Sequence, residues 1–133
     1  MATHTRTQTA LSTEDAIATI GVKNLKTARK FYEDTLGFEP EHSDGDDAIA
    51  YRSGDTKLYV YQSEFAGTNR ATAATWTTRN VDGIVADLKE RGVRFEHYKF
   101  PGMKLEGDVH VAGNTRAAWS KDPDGNILAI VSM

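Results

Sequence analysis

Residues 22–39, VKNLKTARKFYEDTLGFE, decide how the chain is organised, because their pattern starts again 56 residues beyond Asn24, at Asn80. Asn24 carries a short side-chain carbonyl suited to capping the free N–H groups of a helix's first turn. Leu25, Ala28, Phe31, Tyr32 and Leu36 recur at helical spacing, and Gly37 stands where a left-handed C-terminal cap belongs. These signals predict a helix over roughly 25–35. In the echo, TRNVDGIVADLKERG (78–92), Asn80 takes the cap position, Val81, Ile84, Val85 and Leu88 make the stripe, and Gly92 ends it.

Working outward, DAIATIGV (15–22) suits a strand before the first helix, and FEPEHS (38–43), DAIAYRS (47–53) and KLYVYQS (57–63) suit three after it. Turn-forming SDGDD and SGDT separate those three. The second half repeats the order with ATAATWTT (71–78), VRFEHY (93–98), a long loop KFPGMKLEGDVHVAG (99–113), TRAAWS (115–120) and NILAIVS (126–132). The expected fold class is α+β, with duplicated βαβββ modules at about 14–68 and 69–133 forming curved mixed sheets. Each four-stranded sheet would bury one face under its helix and turn the other toward a shared cleft. Residues 1–13 are expected to be a disordered polar tail and 14–133 a single domain. In KDPDGNILAI (121–130), Asp122, Pro123, Asp124 and Gly125 are expected to make the hairpin that returns the last strand to its sheet.

Composition removes several classes of function. The 133 residues include 16 Lys and Arg against 19 Asp and Glu, a formal charge of -3, so no basic face advertises nucleic acid. No apolar run approaches the roughly 18 residues of a membrane span, and MATHTRTQTA lacks the apolar core of a secretory signal, so a cytoplasmic location is expected. Cysteine is absent, which excludes disulfides, a thiolate nucleophile and cysteine metal sites. Neither a GxSxG elbow nor a Gly-rich phosphate cradle is present.

VKNLKTARKFYEDTLGFE resembles the first-helix signature of the vicinal oxygen chelate superfamily, which includes glyoxalase I, extradiol dioxygenases, fosfomycin resistance proteins and bleomycin-binding proteins. DPDGNILAI resembles its last hairpin, and with the duplication the likeness extends from Asp15 to Ser132. The resemblance implies that enzymes of this kind hold one divalent metal in the cleft through His, Glu or Gln on the first and last strands of each module. The matching positions here are Ile17, Tyr59, Ala73 and Ala129. Ile and Ala offer no donor atoms, and a neutral phenol is a poor ligand for a divalent ion, so no metal and no other cofactor is expected. His97 and His110 flank the long loop and leave open an unusual metal site, hydrogen bonds to a ligand, or solvated loop histidines.

If those four positions face the cleft, alternation puts Thr19, Gly21, Lys57, Tyr61, Thr75, Thr77, Ile127 and Val131 beside them. The same count puts Ile20, Val22, Leu58, Val60, Trp76, Leu128 and Ile130 under the helices. Trp119, with Tyr51 as its approximate counterpart, adds aromatic surface. Phe100 and Met103 ride on the 99–113 loop, whose composition leaves open a lid that closes over the cleft or a surface connection docked on its own module or on a second subunit. The expected function is metal-independent binding of a small organic molecule by Tyr51, Tyr59, Tyr61, Trp119, His97, Phe100 and Met103. The resemblance also implies a homodimer. A lyase, isomerase or dioxygenase with an unusual or metal-free site, and a structural or regulatory dimer, are the alternatives.

Overall fold

In the computed structural model, which describes residues 9–132, both halves follow the expected order. The first eight residues of the predicted tail lie outside the described part, and Ala10–Thr13 form an exposed 3-10 turn. Strand β1 (Ala18–Val22) leads into α1 (Leu25–Arg29), which continues as a π-helical turn at Lys30–Thr35. Then come β2 (Glu39–Asp44), β3 (Ala48–Ser53) and β4 (Thr56–Gln62). The second module comprises β5 (Thr72–Thr78), α2 (Val81–Glu90), β6 (Phe95–Glu96), β7 (Lys104–Glu106), β8 (Val109–Ala112), β9 (Thr115–Lys121) and β10 (Ile127–Ser132). Both helices start as the sequence predicts: the Thr27 N–H donates to Asn24 Oδ1 and the Gly83 N–H to Asn80 Oδ1, each at 3.1 Å. Gly37 and Gly92 end them with φ of 80° and 96°.

The first sheet runs β1-β4-β3-β2, with β1 parallel to β4 because the helix carries the chain back before the antiparallel strands begin. The second runs β5-β10-β9-β8-β7, with β6 also on β9, so it has six strands instead of the expected four. The difference lies in 99–113, which is a hairpin and not an open loop. Its signal was present in the sequence as Gly107-Asp108 between two short alternating runs, a turn dipeptide at the right spacing. Since β6 and β8 both pair with β9, residues 97–108 interrupt what would be one strand. Asp108 fastens this excursion by accepting from Lys89 Nζ at 2.6 Å and bonding His97 Nε2 at 2.7 Å. The Lys89 hydrogen bond, then that of His97, holds the Asp108 carboxyl below its ordinary range.

Ile20, Val22, Leu58 and Val60 pack under Leu25, Ala28 and Tyr32, as the alternation requires. Ala74 and Leu128 belong to the same buried cluster, so the core crosses from one module into the other. Trp76 lies on this face, stacked on Phe38 and donating through Nε1 to Ser53 Oγ at 2.9 Å.

The turn at 122–126 does more than close a hairpin. Asp122 is buried, and its Oδ1 accepts from the backbone N–H groups of Asp124 and Asn126. Its Oδ2 accepts from Asn126 Nδ2 and, across the module boundary, from the Tyr32 hydroxyl, both at 2.8 Å. Asn126 Nδ2 also donates to the Gly21 carbonyl at 2.8 Å, and the Gly67 N–H donates to Asn126 Oδ1 at 3.3 Å. The Lys23 N–H meets Asp124 Oδ2 at 3.1 Å. The turn thus grips β1, the π-helical turn and the intermodule connection together. Burial, and then the Asp122 charge, push the Tyr32 phenol far above its usual range. Gly67 has φ of 71°, and a Cβ there would collide with the Asp124 carbonyl oxygen, so only glycine lets the connection lie against the turn.

Removing one partner from a buried charged hydrogen-bond set costs more than an exposed bond, because the remaining group stays desolvated. Tyr32→Phe should therefore lower unfolding free energy in urea by about 1–2 kcal/mol, and Asp122→Ala by about 3 kcal/mol. Gly67→Ala should cost about 2 kcal/mol or more, from a disfavoured φ and a backbone clash. A loss below about 1 kcal/mol for Asp122→Ala would contradict the clasp.

Because the folded Asp108 has a lowered pKa, its stabilisation is present above the ordinary carboxylate value of about 3.9 and is lost as pH falls through the folded value. Wild type should exceed Asp108→Asn in stability near neutral pH by about 1 kcal/mol or less, since Lys89 is largely exposed. Thermal melts from about pH 7 downward should show that gap closing below about pH 4.

Candidate functional site

The face of the sheets opposite the helices holds the candidate site. Register fixes its members: Thr19 and Gly21 of β1 pair with Tyr59 and Tyr61 of β4, and Thr75 and Thr77 of β5 pair with Ala129 and Val131 of β10. Ala129 in turn faces Trp119 of β9, and Ala117 faces His110 of β8. The result is a floor of small and hydroxyl side chains with an aromatic wall on either side. Tyr59 and Tyr61 stack at 6.3 Å on β4, and a Cβ at Gly21 would press on Ser63 at 3.1 Å while meeting the Tyr61 ring at ordinary contact distance. On the other side, Trp119 and His110 are joined by Tyr98 and Phe100 from the excursion, and all four rings contact one another.

Strand spacing puts the two walls about 20 Å apart measured along the sheets, since β1 and β5 lie side by side at the seam. Between them is a crevice of about 240 Å³ bordered by Thr19, Gly21, Tyr61, Phe65, Ala73 and Asn126. Large apolar side chains collect here in the open. Tyr61 is 38% exposed, Phe100 42% and Leu105, opposite His110, 44%, with Ile17 at 43% just before β1. A second crevice of about 200 Å³ opens on the helix side among Leu36, Phe38, Trp76, Ile84, Leu88 and Leu128. That one is the unfilled edge of the core between the modules. It has apolar walls with only Asp87 and Ser120 as polar lining.

Of the side chains selected from sequence, Tyr59, Tyr61, Trp119 and Phe100 lie on the helix-free face. Tyr51 does not. It pairs with Leu58, is fully buried against Tyr32, and donates its hydroxyl to Glu33 Oε2 at 2.8 Å. Burial, and next the Glu33 hydrogen bond, push its phenol upward. The true counterpart of Trp119 is Ala50, which faces Tyr59 as Trp119 faces Ala129. A one-residue slip in that correspondence moves a side chain to the opposite face. His97 stands outside the ring cluster, bonded to Asp108, and Met103 is half-buried in the turn before β7. The residues that sequence reasoning left out of the binding set are Tyr98 and His110. The sequence predicts a continuous strand through Tyr98; the strand instead breaks after Glu96, and the Tyr98 ring packs on Trp119.

The metal that the resemblance implies does not fit. Tyr59 offers a phenol, and Ile17, Ala73 and Ala129 offer nothing that coordinates. His97 and His110 gather no substitute set: among the described residues no three His, Asp or Glu side chains converge to hold a metal ion. Nor does any helix among them have the length and apolarity to cross a membrane.

Comparison with known proteins agrees with this geometry at the level of the fold. A structure from Sphaerobacter thermophilus, a member of the glyoxalase/bleomycin resistance protein/dioxygenase superfamily, is 25% identical with a TM-score of 0.64, covering 90% of this chain and 97% of its own. The bleomycin-binding protein of Streptomyces verticillus, solved with copper(II)-bleomycin, is 22% identical with a TM-score of 0.67, covering 90% and 96%. Lactoylglutathione lyase from Agrobacterium tumefaciens is 13% identical with a TM-score of 0.66, covering 90% and 93%. No curated protein sequence gives a significant match. The family model described as Glyoxalase/Bleomycin resistance protein/Dioxygenase superfamily matches residues 13–130, nearly the whole described chain. The chain therefore belongs to the glyoxalase/bleomycin resistance protein/dioxygenase superfamily.

Proposed function

We propose that this protein binds a small organic molecule on the helix-free face without using a metal ion. The observation that carries the proposal is the aromatic surface of that face, exposed at Tyr61 and Phe100, beside four positions, Ile17, Tyr59, Ala73 and Ala129, that hold no good ligand for a divalent metal. Aromatic rings cost free energy in water and give large, stiff contact area to a flat or amphipathic guest. The Thr19, Thr75 and Thr77 hydroxyls between the walls offer hydrogen bonds that orient it. Walls about 20 Å apart suit an extended ligand, or a shorter one held against one wall.

Relatives that bind bleomycin support the ligand class in outline, an organic molecule far larger than a metal ion. A homodimer belongs to the same proposal, because a second copy would cover exposed sheet edges such as β2 and β7, and an isologous pair is the commonest symmetric way to do so. Sequestration of the ligand is the role this reading gives the surface.

Anilinonaphthalene sulfonate, a flat amphipathic dye, provides the probe. Trp119→Ala and Tyr61→Ala should each weaken its binding about tenfold in a fluorescence titration, while Ile84→Ala in the helix-side crevice should leave it unchanged. Loss of binding through Ile84→Ala with Trp119→Ala and Tyr61→Ala silent would move the site to the other face and defeat the proposal.

A further inference from the structure

The four-ring cluster contains two polar atoms with nothing to bond. His110 is 1% exposed, and its Nε2 accepts the Tyr98 backbone N–H at 2.9 Å. A neutral imidazole that accepts at Nε2 carries its hydrogen on Nδ1. That Nδ1 is buried with no hydrogen-bond partner, and so is the Tyr98 hydroxyl. Leaving such groups unsatisfied destabilises the fold, so a folded protein keeps them for a reason.

The surroundings state what that reason can be. Trp119 stands edge-on to His110 with ring centres 4.9 Å apart, and Phe100 covers both from 6.0 Å and 5.3 Å. Phe100 is the one strongly exposed ring of the four, and it sits on the chain excursion two residues before the turn at Gly102. Beneath them Ala117 and Ala129 leave the floor without competing polar groups. The four rings thus form an apolar cluster that holds two unpartnered donors and has its one exposed ring, Phe100, on the outside.

We propose that Tyr98 and His110 form a recognition subsite for a carbonyl or carboxylate oxygen of an aromatic ligand, entered by displacement of Phe100. An sp² oxygen has two lone pairs and matches two donors, His110 Nδ1–H and Tyr98 Oη–H. Its aromatic body would stack on Trp119, in continuity with the floor at Ala129. This subsite rests on the ligand-binding proposal above and adds to it the functional group that the ligand must carry.

The test compares naphthamide with isopropenylnaphthalene, which share ring system, heavy-atom count and planar shape and differ in carrying an amide or an apolar group. Wild-type protein should bind the amide about tenfold more tightly, the worth of one good buried hydrogen bond. The imidazole N–H proton resonance of His110 should move downfield with the amide only. Tyr98→Phe should abolish most of the preference without loss of thermal stability, since it removes a hydroxyl that has no partner in the free protein. Equal affinity for the two probes, or a bound amide that leaves the His110 resonance unmoved, overturns the subsite while the aromatic cleft stands. A Tyr98→Phe variant that is destabilised and keeps the preference assigns the hydroxyl to a buried water and overturns it also. Binding of neither probe defeats the subsite and the cleft together.

Discussion

The Asp122 carboxylate is the constraint on which the two-module arrangement depends. It is buried, it takes four donors, and one of them comes from a helix in the other half of the chain. Charged hydrogen bonds in a dry setting are strong when complete and costly when any member is missing, so the turn, the helix and β1 must assemble in one geometry. Asn126 extends the grip to the Gly21 carbonyl, and Gly67 lets the connecting segment approach. A saddle of two sheets with a shared core follows from that junction, and the position of every side chain on the open face follows from the saddle.

The open face shows what duplication permits. In each module the middle antiparallel pair presents one aromatic ring and one alanine: Tyr59 opposite Ala50, and Trp119 opposite Ala129. The order is reversed between the modules, so the rings stand on different strands and the floor between them stays low. Helix packing demands only that the opposite face remain apolar, which leaves these positions free to change chemistry without cost to the core. Here the positions matching the metal donors of related enzymes hold Ile17, Tyr59, Ala73 and Ala129.

Local signals made most of this fold legible. Asn24 and Asn80 cap their helices, Gly37 and Gly92 end them, and strand alternation sorts Ile20, Leu58 and Leu128 from Thr19, Tyr59 and Ala129. Features that failed to show were those set by partners distant in sequence. KDPDGN advertised a turn, but nothing in it reveals that Tyr32 lies 90 residues away on its carboxylate. Tyr51 was placed by analogy with Trp119, and only the register with Leu58 shows that it belongs to the core. The hairpin within 99–113 had a turn dipeptide, yet Pro101, Gly102 and Gly113 masked it as loop composition. Without that hairpin nothing in the sequence joins Tyr98 to His110, though they lie only 12 residues apart.

The central claim is that the helix-free face holds an organic molecule by aromatic surface where related enzymes hold a metal. Elemental analysis of protein purified without chelator, joined to native mass spectrometry of the same sample, addresses it most directly. The account predicts no stoichiometric divalent metal and a retained organic mass that disappears when Trp119 is replaced by alanine. Stoichiometric zinc, iron, nickel or manganese bound through residues of that face would contradict it.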